Sequence, residues 1–181
     1  MNPDSQSPPP HWQELPQSTF VPGLTTRPDN HFPRSLTLGE LVRIGQRLFD
    51  AGFYWEAHEA WEQAWISTGR SGVTADFLKG CIRLAACGVK CLAGNPLGAK
   101  RHALRAVQLF ETVLTATAEA HADHVPLLKA LRDRAVQLTE SLPDVTERDR
   151  TQATQGGVPI LGQLPGDLTL LCSSVSEIRD H

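Results

Sequence analysis

Proline placement constrains this chain most. Eight of its thirteen prolines fall in residues 1–34, with Pro8, Pro9 and Pro10 consecutive. Each proline fixes φ and removes an amide donor, so a segment this dense in proline holds neither regular helix nor central strand. Residues 1–34 read as an extended arm whose Trp12, Phe20, Val21 and Phe32 are candidates to dock on the body. Between residues 35 and 142 only Pro96 and Pro126 occur. Each stands where a helical pattern begins, the one place where a missing N–H costs nothing.

Between these marks the apolar residues recur at helical spacing. Leu38, Leu41, Val42, Gly45, Leu48 and Phe49 follow it, Thr37 and Glu40 have the spacing of a capping box, and Gly52 stops the run. A second helix is predicted over about 53–67, broken by "STGRSG", and a third over about 74–92, ended by "AGN". Asn95 and Pro96 cap and open a fourth, which reaches about 118, and Pro126 opens a fifth to about Ser141. "AGFYWEA" (51–57) and "AGNPLGA" (93–99) repeat Ala, Gly and Ala at matching offsets between helices.

The expected fold is therefore all-α: four to five helices as two stacked antiparallel hairpins, 38–67 and 74–118, with the fifth helix across their open side. The helical domain spans 35–142. The arm 1–34 and an irregular C-terminal tail, 143–181, flank it and are expected to be dispensable for folding. The tail is read either as flexible or as a strap over the bundle.

Composition narrows the function classes. Forty per cent hydrophobic and 20 per cent charged residues suit a globular domain. A formal net charge of −3 speaks against general nucleic-acid binding. No apolar run of the roughly 18 residues needed to span a membrane occurs, and the N-terminus lacks the pattern of a secretory signal. Cys81, Cys87, Cys91 and Cys172 form no CxxC pair and read as buried apolar residues of a cytoplasmic protein.

The densest chemistry lies in "GFYWEAHEAWEQAW", residues 52–65, which holds three of the four tryptophans with Glu56, His58, Glu59 and Glu62. On a wheel of about 100° per residue, Phe53, Tyr54, Ala57, Ala60, Trp61, Ala64 and Trp65 share a broad apolar sector, and Trp55 and Ile66 lie nearly opposite. A helix apolar on two sides is sandwiched between neighbours. His58 and Glu62 sit at the seam. The next helix is apolar nearly all round except for Lys79, Arg83 and Lys90, and its Gly80 and Gly88 allow close approach of another helix. Lys79 and Arg83 are expected to face Glu59 and Glu62. Glu56, His58, Glu59, Glu62, Lys79 and Arg83 make up the candidate cluster.

"FDAGFYWEAHEAWEQAW", "DFLKGCIRLAA" and "GNPLGAKR" resemble domain-of-unknown-function family number 309, over about residues 38–115. The matching positions are Trp55, Glu56, His58, Glu59, Trp61, Glu62, Trp65, Phe77, Leu78, Gly80, Gly98 and Ala99. Lys79 stands where the family has glutamine. The resemblance implies a small all-helical domain of bacterial or archaeal type and no established activity.

Four readings of the cluster compete. His58 and Glu62, four apart, can reach one divalent ion, with His102 as a third ligand. A histidine among carboxylates suits general acid–base catalysis, yet no nucleophile motif accompanies it. The glycine–aromatic–alanine rhythm resembles that of tetratricopeptide helices and suits a peptide groove. The fourth reading is a structural polar network that fixes helix register. The reading adopted is a non-catalytic cytoplasmic helical domain. Its cluster is then a structural network or a small pocket for a polar molecule, peptide or protein. A metal-dependent or acid–base enzyme using His58 with Glu59 and Glu62 is the alternative. No cofactor is expected beyond a possible divalent metal, no nucleic acid or membrane partner is expected, and oligomerisation stays open.

Overall fold

The computed structural model describes residues 14–27, 32–118 and 121–173. Trp12 and parts of both tails lie outside them. Seven helices and no strand occur among the described residues: α1 (Leu38–Asp50), α2 (Tyr54–Ser67), α3 (Val73–Leu92), α4 (Pro96–Thr117), α5 (Val125–Glu140), α6 (Glu147–Ala153) and α7 (Leu170–Ser173). The first five fall where the sequence places them. Thr37 and Glu40 form the capping box in both directions. The Asn95 side chain accepts from Gly98 N at 2.8 Å, with Pro96 at the helix start.

The echo between the two Ala-Gly segments is a shared turn. At the end of α1, Gly52 N donates to Phe49 O and Phe53 N to Leu48 O. At the end of α3, Gly94 N donates to Cys91 O and Asn95 N to Lys90 O. Both are Schellman ends, and Gly52 and Gly94 take the positive φ that such an end requires, 84° and 67°.

Consecutive helices pack on one another from α1 through α5. Three glycines set how closely. A Cβ on Gly45 would overlap the Trp61 indole, one on Gly80 the Phe110 ring, and one on Gly88 the Tyr54 ring. Gly80 and Gly88 thus admit α4 and α2 to opposite parts of α3, as their placement in an apolar helix implies. All four cysteines are buried free thiols. No helix among the described residues is long and apolar enough to cross a membrane.

The segment after residue 142 takes the second of its two readings, a strap over the bundle. It carries α6 and α7, and its Ala153, Val158, Leu161, Leu164, Leu168, Leu171 and Cys172 are buried in the common core. Its irregular stretch is held by side chains of α1 and α2. Tyr54 Oη accepts from Leu161 N (2.8 Å), Asp50 from Leu164 N (2.8 Å) and Gln46 from Leu168 N (3.1 Å). Gly52 and Gly157 let the strap cross the α1–α2 turn, since a Cβ at either would strike backbone of the other segment. α5 packs on α4 and reaches the strap through Arg134, which donates to Leu161 O. The cover over α1 and α2 is therefore supplied by the strap, and the described part of the tail, 143–173, belongs to the body.

Candidate functional site

α2 divides its side chains between two surfaces. Tyr54, Ala57, Ala60, Trp61 and Ala64 are fully enclosed in the core. Trp55, His58, Glu59, Glu62 and Trp65 recur at offsets of three and four, so they line one stripe of the helix. All five are half-buried.

Within the stripe, the His58 ring stacks on Trp55, with centroids 5.6 Å apart and planes 7° from parallel. His58, Glu59 and Glu62 each bring one ligand-type atom within 4.8 Å of the others. His58 Nδ1 lies 3.5 Å from Glu59 Oε1, close enough for an ionic contact yet not aligned as a hydrogen bond. Three nitrogens along the stripe are shut off from water and have no hydrogen-bond partner among the described residues: Trp55 Nε1, His58 Nδ1 and Trp65 Nε1.

The flanks come from the arm, the α2–α3 turn, α3 and α4. From the arm, Phe20 meets Trp55 edge-on at 4.9 Å, and the Arg27 guanidinium lies 4.7 Å above the same indole. Arg27 also approaches Glu59 at 3.7 Å. At the other end, Lys79 and Arg70 lie over the Trp65 ring at 5.6 and 5.5 Å. From α4, His102 Nδ1 sits 3.5 Å from an Arg83 nitrogen. Burial holds the His102 pKa below the ordinary histidine value, and the charges of Arg83, Lys90 and His58 add to the effect.

This arrangement differs from the sequence reading at three points. Lys79 and Arg83 do not pair with Glu59 or Glu62 among the described residues. Lys79 bonds Asp76, one turn back on its own helix, at 3.2 Å, and Arg83 turns to His102. An i,i+3 carboxylate is always within reach, whereas a partner across a helix interface needs matching register. Glu56 leaves the cluster as well. It is almost wholly buried and points to the arm, where its carboxylate accepts from Thr19 Oγ1 at 2.5 Å and Phe20 N at 3.1 Å. His102 lies outside the three-residue ligand set. The sequence marks Phe20 as a docking residue without its place on α2 and does not mark Thr19 or Arg27, because their contacts span more than thirty residues of chain.

Burial raises the Glu56 pKa above its ordinary value of 4.5, against the hydrogen bonds from Thr19 and Phe20 N, which lower it. A raised folded-state pKa means that the native state holds the proton more tightly than the unfolded chain. Glu56 therefore stabilises the fold most below pH 4.5, and that contribution fades as pH rises through the folded-state value. Glu56→Gln, which mimics the protonated acid, is expected to gain melting temperature relative to wild type as pH rises from about 4 to about 8. Melting curves across that range check it. A difference that does not change with pH would show that Glu56 titrates alike in both states.

Residues 42–102 match the family described as Domain of unknown function (DUF309). The matched span runs from α1 into α4 and includes every residue of the candidate cluster. No curated protein and no solved structure matches the chain.

Proposed function

We propose that this chain is a non-catalytic, cytoplasmic ligand-binding domain, built on two stacked helical hairpins, α1–α2 and α3–α4. Its site is the half-buried stripe of α2. The observation that supports this reading is the row of buried nitrogens without a hydrogen bond among the described residues, Trp55 Nε1, His58 Nδ1 and Trp65 Nε1, beside two carboxylates. A buried donor without an acceptor costs about 1–3 kcal/mol. A bound molecule that brings acceptors recovers that cost, and one with an ammonium or hydroxyl group also satisfies Glu59 and Glu62. The ligand class is a small polar molecule that bears both kinds of group, such as an amino acid or a hydroxy acid.

A thermal-shift series with amino acids and small hydroxy acids tests this. A ligand at about 100 times its Kd stabilises the folded state by about 2.7 kcal/mol, enough for a rise of several degrees. At least one compound is expected to raise the melting temperature of the wild type and to leave Glu62→Gln unmoved. A series with no stabiliser, beside a His58→Ala variant that melts far below wild type, would overturn the proposal in favour of a structural network.

The proximity of His58, Glu59 and Glu62 favours a second reading, a divalent ion at this position serving metal-dependent or acid–base chemistry. Elemental analysis of the purified protein separates the two. Stoichiometric metal that is lost in His58→Ala supports the enzyme reading.

A further inference from the structure

The short connection between α4 and α5 gathers a second set of ligand-type side chains, remote in sequence from α2. His121, Asp123 and His124 each place one nitrogen or oxygen within 4.8 Å of the others. The backbone there is well tied. His121 N donates to Thr117 O (2.9 Å), His124 N to His121 O (3.0 Å), and Leu128 N to His124 O (3.0 Å), so the turn continues one helix end into the next helix start. This ladder puts both imidazoles on one side, stacked with centroids 5.3 Å apart and planes 16° from parallel. His124 is buried, while the Asp123 side chain is 80 % exposed.

We propose that this turn is a binding site for a first-row divalent transition ion, with Zn2+ the natural occupant, held by His121, Asp123 and His124. Zn–N and Zn–O bonds of about 2.0–2.2 Å in a tetrahedral site put neighbouring ligand atoms roughly 3.3–3.5 Å apart. The His124 Nε2 to Asp123 Oδ2 separation is 3.5 Å, already that edge. The His121 ring nitrogen needs only a side-chain rotation to complete the face, since its backbone is fixed by the same turn. Two imidazoles and one carboxylate form a donor set suited to zinc and cobalt and poorly suited to calcium or magnesium, which take oxygen ligands. Three protein ligands leave a fourth position for water. An ion here pins the end of α4 to the start of α5.

The test uses the full chain without a histidine tag and Zn2+ or Co2+ alone. Co2+ is expected to give visible d–d absorption of tetrahedral type at one equivalent, and Zn2+ to raise the melting temperature. His121→Ala and Asp123→Ala each remove one ligand outside the core and are expected to weaken binding ~10-fold or more. His58→Ala is expected to leave it unchanged, which separates this site from the cluster on α2. Absence of any cobalt spectrum would overturn the proposal. So would a spectrum that persists in His121→Ala and Asp123→Ala, or one that disappears in His58→Ala.

Discussion

A chain ended after Leu142 is expected not to fold. The cut removes Val158, Leu161, Leu164, Leu168 and Leu171, all buried in the same core as α1–α5. Full burial of one such side chain stabilises by about 1.5–3 kcal/mol, so these five together contribute roughly 8–15 kcal/mol as an upper bound. That is comparable to the entire stability of a typical domain, about 5–15 kcal/mol. The cut also strips the Tyr54 hydroxyl and the Asp50 and Gln46 side chains of the amides they accept from, and exposes apolar surface along α1 and α2. The expected result is a shorter chain with no cooperative melting transition and a tendency to aggregate, read by circular dichroism and sedimentation. A cooperative melt close to that of the full chain would show that the strap is an accessory and restore the view of 35–142 as self-sufficient.

The strap marks the boundary of what could be read from residues. Helices α1–α5 announce themselves because their signals are local: apolar spacing, the Thr37–Glu40 box, and Pro96 and Pro126 at helix starts. Gly52 and Gly94 also act locally, and their matching offsets disclose a repeated turn. The strap has no such signal. Its order comes from backbone amides that meet side chains more than a hundred residues away. One local cue was present there, since Thr146 and Asp149 form a second capping box that opens α6. The stripe on α2 was legible in the same partial way. Helical spacing places His58, Glu59 and Glu62 together, but register between helices decides their partners. Asp76 takes Lys79, His102 takes Arg83, and the arm takes Glu56. The turn at His121, Asp123 and His124 carries its spacing openly, and only the fold shows that the two imidazoles stack.

The two neighbours Trp61 and Glu62 are expected to respond very differently to alanine. Trp61 has no exposed surface. Its indole lies 5.8 Å from the Phe49 ring, fills the space that Gly45 leaves by lacking a Cβ, and donates from Nε1 to Val42 O at 3.2 Å. Trp61→Ala therefore opens a cavity between α1 and α2, at a cost of about 3–5 kcal/mol. For a chain of this size that lowers the melting temperature by roughly 6–20 °C. Glu62 is half-buried on the opposite stripe, and among the described residues it has neither a hydrogen bond nor an ion pair. Its nearest charged company includes the carboxylate of Glu59, which repels it. Glu62→Ala then removes no native partner and relieves a like-charge contact. The expected change is within about 0.5 kcal/mol and can be a gain. Such stability neutrality is what a residue kept for binding displays, since ligand sites hold groups that the fold itself does not need. A residue of a buried structural pair behaves otherwise, because its loss leaves the partner charge uncompensated, about 3–5 kcal/mol. Thermal melts of the two variants beside wild type decide between these roles. A Glu62→Ala variant as crippled as Trp61→Ala would make the stripe a structural network. A neutral Glu62→Ala beside a crippled Trp61→Ala leaves binding as the reason for two carboxylates, a histidine and two indole N–H groups without a hydrogen bond among the described residues on one face of α2.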